Sequence, residues 1–249
     1  MLPSYIERLL DARTITDIRR IFLEAAGQFG FDHALYVARF MLSVPASLLH
    51  EKPVVFSNLP DRLLEDSKNL TGLENDPLVQ WVLTNDGTVS TADLIRHNRG
   101  VVPPSLLLAQ RHDLGVCQII SLRDKVLHSA GAVALMPGKG ADEDDLQRQW
   151  AQSGRQLKML TWVMHMRVAT MQRKPPAATL TPRQREVLGW RSAGKTVGEI
   201  ATILGITPAT VEKHMRLARE SLGVETTPQA VLKAHVTHQL HKPTNGLRD

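Results

Sequence analysis

Glu212, Lys213, Arg216, Arg219 and Glu220 bring five charged side chains together at spacings that share one side of an α-helix. An arginine fork matches paired acceptors and a lysine offers a movable point charge, so such a face suits recognition of a polyanion. No comparable grouping points to catalysis. The chain lacks a P-loop, an H-E-x-x-H, a G-x-S-x-G elbow and a dinucleotide fingerprint, and P-G-K-G at Pro137 to Gly140 is too short to cradle a phosphate. The acidic run Asp142 to Asp145 would complement the first turn of a helix without any metal, and His112 and Cys117 are not at a ligand spacing. No enzyme, no cofactor and no metal are therefore expected.

The elements that must position the charged face are two helices with a tight turn between them. Thr196 and Glu199 have capping-box spacing, Ile200, Ala201 and Leu204 form an apolar side, and Gly205 suits a left-handed stop. Thr207 then serves as N-cap and Pro208 as the first residue of a second helix. In that helix Val211, Met215, Ala218 and Leu222 make one apolar stripe, opposite the charged face. This is a helix-turn-helix pattern whose second helix would fit a major groove; an ordinary hairpin with a solvated face has the same spacing.

The segment L-T-P-R-Q-R-E-V-L-G-W-R-S-A-G-K-T (Leu180 to Thr196), with E-I-A-x-x-L-G-I, T-V-x-x-H and L-G-V after it, closely resembles the LuxR-type helix-turn-helix domain over about sixty residues. Thr181, Pro182 and Gln184 open its first helix, with Gln where the family more often has Glu, and Thr227 and Pro228 are expected to open a fourth, Gln229 to about Leu240. In the family that last helix is where two DNA-binding domains usually pair. The resemblance puts Glu212 and Arg216 over base edges with Lys213 between them. Arg216 would engage guanine, Glu212 a cytosine amine, and Lys213 a base or a phosphate. It assigns Lys195, Thr196, Thr207, Thr210, His214 and Arg219 to phosphate positioning. Two alternatives stay open: Glu212 pairing with Arg216 at i+4, and His214 as a core histidine.

The chain has 249 residues, 43% of them hydrophobic, enough for two packed domains. Its charge of +5 is unevenly spread: Gln172 to Asp249 holds twelve Lys and Arg against six Asp and Glu, and the remainder eighteen against nineteen. A basic excess confined to the C-terminal third points to nucleic acid. One cysteine excludes an internal disulfide, and there is neither an 18-residue apolar run nor a signal-peptide pattern, so a cytoplasmic protein with no membrane segment is expected.

Before this region, Thr16 to Phe29 reads as a packing helix behind a Thr16 cap, and Asp142 to Met171 as a long helix with Leu146, Trp150, Leu157, Leu160 and Val163 or Met164 inward. Strands are expected at Ala34 to Phe40, Val54 to Leu59, Val116 to Arg123 and Ala130 to Met136. Helical segments are expected around Asp61 to Lys68, Pro77 to Thr84 and Pro104 to His112. Helices bracketing a mostly antiparallel sheet predict an α/β class, an α/β/α sandwich, for residues 1–171. A Pro-containing linker follows at 172–179, then the all-α, four-helix domain at 180–241 and a flexible tail at 242–249.

Around D-P-L-V, Asp76 to Val79, the N-terminal part resembles the acyl-homoserine-lactone-binding domain of LuxR-type regulators, more distantly than the C-terminal match. That resemblance implies a ligand site at Leu63, Ser67, Asp76, Pro77 and Thr91. Leu63 stands at a family tryptophan, Ser67 at a tyrosine, and Thr91 at a second tryptophan. Asp76, the family's acceptor for a ligand amide, is equally explained as a helix N-cap. Losing the indole and phenol donors would leave a lactone carbonyl unpaired, at about 1–3 kcal/mol each.

The expectation is a transcriptional regulator bound to a double-stranded DNA operator as a homodimer, an orphan or solo member that is lactone-independent or takes a non-standard small molecule. A lactone receptor with a remodelled pocket, or a sequestering protein acting through mixed dimers, is the alternative.

Overall fold

The computed structural model describes residues 1–40, 53–123, 125–126, 129–171, 180–237 and 239–240, which divide into two compact units, one ending at Met171 and the other beginning at Leu180. The expected linker at 172–179 and tail at 242–249 lie outside the described residues.

The N-terminal unit runs α1 (Leu2–Asp11), α2 (Ile15–Gln28), β1 (His33–Arg39), β2 (Val54–Ser57), α3 (Asp61–Ser67), α4 (Pro77–Thr84), β3 (Gly87–Ser90), α5 (Thr91–His97), α6 (Pro104–Gln110), β4 (Gln118–Ser121), β5 (Ala130–Met136) and α7 (Glu143–Thr170). The strands form one sheet in the order β2-β1-β5-β4-β3, each pairing antiparallel. Alternation along the strands builds two cores. Ala34, Tyr36, Phe56, Ile120, Val133 and Leu135 face α1, α2 and α7, while Val89, Ile119 and Met136 face α3 to α6. The unit is thus the expected α/β/α sandwich.

Several local expectations are revised. The α2 cap is Thr14, not Thr16: Thr14 Oγ1 accepts from Asp17 N at 3.0 Å and the Asp17 carboxylate accepts from Thr14 N at 3.2 Å. The sequence T-I-T-D holds two threonines, and only Thr14 has an acid three residues on. A Thr14→Ala variant is expected to lose about 1 kcal/mol in urea unfolding, and Thr16→Ala less than about 0.5 kcal/mol. Helices α1 and α5 and strand β3 add to the expected set. Strand β3 is four residues with one buried aliphatic, Val89, too short for alternation to register.

Helix α7 begins at an Asp142–Asp145 capping box, so those acids serve the helix start. Leu146, Leu157, Leu160 and Met164 are fully buried, with Met164 rather than Val163 inward, and Trp150 packs over Gly154, where a Cβ would meet the indole at 2.8 Å. Arg167 closes the unit by donating to Leu9 O at 3.2 Å and Ala12 O at 2.8 Å, fastening the end of α1 to the last turn of α7.

The C-terminal unit contains α8 (Pro182–Ser192), α9 (Val197–Leu204), α10 (Pro208–Leu222) and α11 (Thr227–Val236). Capping boxes Thr181–Gln184 and Thr196–Glu199 start α8 and α9 as expected. The cap of α11 is Thr226 with Gln229, one residue earlier than expected, because Gln229 is the only box partner and lies three residues from Thr226. Val211 and Met215 of α10 pack with α8 and α9, and Ala218 and Leu222 pack with α8 and α11. One stripe therefore serves two small cores. Among the described residues no helix is long and apolar enough to cross a membrane.

Candidate nucleic-acid interface and small-molecule site

The turn between α9 and α10 is set by Gly205, whose φ of +63° costs an L residue with a side chain but not glycine. Thr207 Oγ1 then accepts from Thr210 N at 3.3 Å and Pro208 occupies the first helical position, where a missing N–H leaves nothing unpaired. With its apolar stripe inward, α10 presents Glu212, Lys213, Arg216 and Glu220 to solvent.

The alternative Glu212–Arg216 pair does not form. Arg216 Nη1 reaches forward to Glu220 Oε1 at 2.6 Å, with both side chains more than half exposed. An exposed i,i+4 pair holds by only about 0.3–0.5 kcal/mol, so the guanidinium is readily released to another acceptor. Glu212 and Lys213 carry no salt bridge among the described residues.

The positions assigned to phosphates divide. Thr196 and Thr207 are exposed at the starts of α9 and α10, where helix N-termini favour anions, and Thr210 is half-buried with its hydroxyl 2.9 Å from that of Thr207. Lys195 Nζ lies 3.2 Å from Glu199 Oε1. Bonds from the Thr196 amide and hydroxyl, with Lys195 beside them, hold the Glu199 carboxyl down to about 2. Arg219 is half-buried and donates to Thr227 Oγ1 at 3.0 Å, tying α10 to the start of α11. His214 is half-buried on the flank of α10, neither in the core nor fully presented. Sequence reading missed Arg183, whose Nη2 donates to Leu204 O at 2.9 Å and closes the end of α9 from 21 residues away. Nothing in the local spacing signals such a pair.

In the N-terminal unit the five expected ligand positions all belong to the α3–α6 layer, and each has a structural task. Leu63 is 5% exposed in the apolar cluster with Val82, Leu94 and Leu106. Ser67 Oγ donates to Leu64 O of its own helix at 2.7 Å. Asp76 is 3% exposed; its Oδ1 accepts from Leu78 N at 2.8 Å and its Oδ2 from Ser105 N at 2.9 Å. One carboxylate thus caps α4 and also the first turn of α6, whose own N-cap, Pro103, has no side-chain acceptor to offer. Pro77 is the first residue of α4. Thr91 Oγ1 donates to Cys117 O at 3.0 Å and accepts from Cys117 N at 2.6 Å; burial pushes the Cys117 thiol up to about 11, against the lowering effect of its hydrogen bond from Thr91.

Beside Asp76, Pro77 and Pro104 a shallow depression of about 180 Å³ opens. On the same face of the sheet Val37 pairs with both Val55 and Ala132; Val37 is 36% and Val55 50% exposed, leaving an apolar strip of sheet uncovered by the described residues. Among the described residues no cluster of His, Cys, Asp and Glu could hold a metal ion.

A capped helix-turn-helix with a charged outer face, carried on the same chain as an α/β/α domain, defines a two-domain DNA-binding transcriptional regulator. The sequence comparisons agree: the profile of bacterial regulatory proteins of the luxR family matches residues 178–234, and that of the autoinducer binding domain matches 14–168. The chain belongs to the LuxR family. It is 30% identical to the transcriptional activator protein SolR of Ralstonia solanacearum over 256 residues, covering 95% of this chain and 99% of SolR. It is 27% identical to the transcriptional activator protein AhyR of Aeromonas hydrophila over 247 residues, covering 93% and 89%. The Escherichia coli SdiA crystal structure superposes with a TM-score of 0.61 at 20% identity, over 96% of this chain and 98% of that one, which supports the fold. SdiA has also been solved in complex with octanoyl-rac-glycerol, matching at a TM-score of 0.59 and 21% identity over 96% of each chain. This is a family of transcription factors, not of enzymes.

Proposed function

We propose that this chain is an orphan or solo LuxR-type regulator, lactone-independent or responsive to a different small molecule, acting in the cytoplasm as a homodimer on a two-fold operator. Residues 1–171 serve as the sensory and dimerisation domain and 180–241 as the DNA-binding domain. In α10 Arg216 and Glu212 read base edges, Lys213 a base or phosphate, and Lys195, Thr196, Thr207 and Thr210 hold phosphates, with His214 and Arg219 at the margin. The relatives' names favour activation.

One observation carries the ligand reading. Where the family resemblance implies donors to a lactone head group, this chain has the buried aliphatic Leu63, and the hydroxyls of Ser67 and Thr91 are already bonded within the protein. A lactone placed there would strand its carbonyl without a partner, which costs about 1–3 kcal/mol per lost bond. A second reading, a lactone receptor with a remodelled pocket, is favoured by the uncovered strip at Val37, Val55 and Ala132.

Mass spectrometry of small molecules released from protein expressed with and without added acyl-homoserine lactones separates the two. The orphan reading expects no lactone at stoichiometric level; a one-to-one recovery overturns it. A gel-shift titration across several salt concentrations addresses the sequestering alternative, which expects weak binding without a preferred site.

A further inference from the structure

Inside the N-terminal unit a chain of buried polar groups joins α7 to the sheet. His165 of α7 is fully buried, as is Tyr36 of β1, while Ser129, just before β5, is 2% exposed. Ser129 Oγ donates to Val126 O at 2.7 Å, so its remaining role toward His165 Nε2, 3.2 Å away, is that of acceptor. Nε2 therefore carries the ring proton, and Nδ1 accepts from the Tyr36 hydroxyl at 2.9 Å. With the described partners, this chain matches the neutral imidazole in this one tautomer.

A second proton has no good place. It would make Nδ1 a donor against the Tyr36 hydroxyl, force that hydroxyl to turn, and leave a buried cation. Among the described residues, the groups against the ring are Tyr36 from β1, Phe40 stacked at 5.1 Å after it, and Ser129 ahead of β5; Thr161, with its own buried hydroxyl unpartnered among the described residues, lies one turn earlier on α7. Tyr36 is the one titratable group among these, and no carboxylate among the described residues offsets the charge. Burial alone pulls the His165 pKa from 6.5 down to about 4.

We propose that His165 is an acid-operated latch: neutral, it fastens α7 to strands β1 and β5, and proton uptake releases the helix and opens the N-terminal domain. The folded state resists the proton and the unfolded state does not, so the stability due to this group is intact above pH 6.5 and is lost as pH falls from 6.5 towards 4. Glu24, Asp17 and Asp142 are held below their ordinary values of 4.5, 3.8 and 3.8, so their contributions fade only at lower pH.

Urea unfolding of the full chain, followed by tryptophan fluorescence at pH 7.5 and pH 5, tests this in the wild type and in His165→Gln, which keeps a donor and an acceptor but cannot titrate. The folding equilibrium constant of the N-terminal transition should fall about 30-fold more in the wild type than in the variant, the one-proton linkage for a shift from 6.5 to about 4. Equal pH dependence in the two proteins overturns the proposal. Should His165→Gln fail to fold, an NMR titration of the histidine rings in the wild type decides: an Nε2–H tautomer that stays neutral to pH 5 supports the latch, and a ring titrating near 6.5 sinks it.

Discussion

Changing Arg216 and Lys213 together to alanine lowers affinity for a selected operator about 100-fold or more, while non-specific binding falls less. The magnitude follows from a bidentate arginine–base pair, about 1–3 kcal/mol, plus a lysine contact of similar or smaller size. Both side chains are exposed, and the Arg216–Glu220 pair contributes too little for its loss to unfold α10. Thermal unfolding of the double variant should therefore match the wild type. Fluorescence anisotropy against the operator and a scrambled duplex, at three salt concentrations, separates the two contributions. A lost base contact narrows the gap between operator and scrambled duplex at every salt, whereas a lost phosphate contact reduces the salt slope by about one. Unchanged operator affinity would remove α10 from the interface and leave its charged side as solvated surface.

Asp76→Ala carries the largest expected effect on the N-terminal unit. It removes the acceptor of Leu78 N and that of Ser105 N at once, and the second has no replacement because Pro103 cannot cap α6. A lost cap costs about 1 kcal/mol and a stranded buried N–H about 1–3 kcal/mol, so a loss of about 2–4 kcal/mol is expected without any ligand present. For a unit of this size that lowers its unfolding midpoint by roughly 10 °C, read as a separate transition in calorimetry. Ser67→Ala, which deletes only a bond to its own helix, should sit within about 0.5 kcal/mol of wild type. Were Asp76 solely a ligand acceptor, the apo protein would keep its midpoint and only ligand binding would suffer.

Much of this molecule is legible along the chain because its signals are short-ranged. Capping boxes need two residues three apart, so the starts of α8 and α9 follow from Thr181 with Gln184 and Thr196 with Glu199, and that of α10 from the Thr207 N-cap followed by Pro208. The α10 stripe needs only the helical period, and all four of its residues are buried as that period requires. Where two candidate threonines lie within two residues of each other, as with Thr14 and Thr16 or Thr226 and Thr227, the spacing to the box partner decides between them, and in both cases the cap is the earlier threonine rather than the expected later one.

The amino-acid order by itself determined the helix-turn-helix, the confinement of positive charge to the C-terminal third, and the α/β/α character of the rest, since periodicity and caps act within a few residues. Tertiary structure alone decided that Asp76 serves two helices, that Arg219 binds Thr227 rather than standing free, and that His165 meets Tyr36 across 129 positions. Those pairs depend on which surfaces the packed layers bring together, and a contact made by packing leaves no period in the sequence to be read.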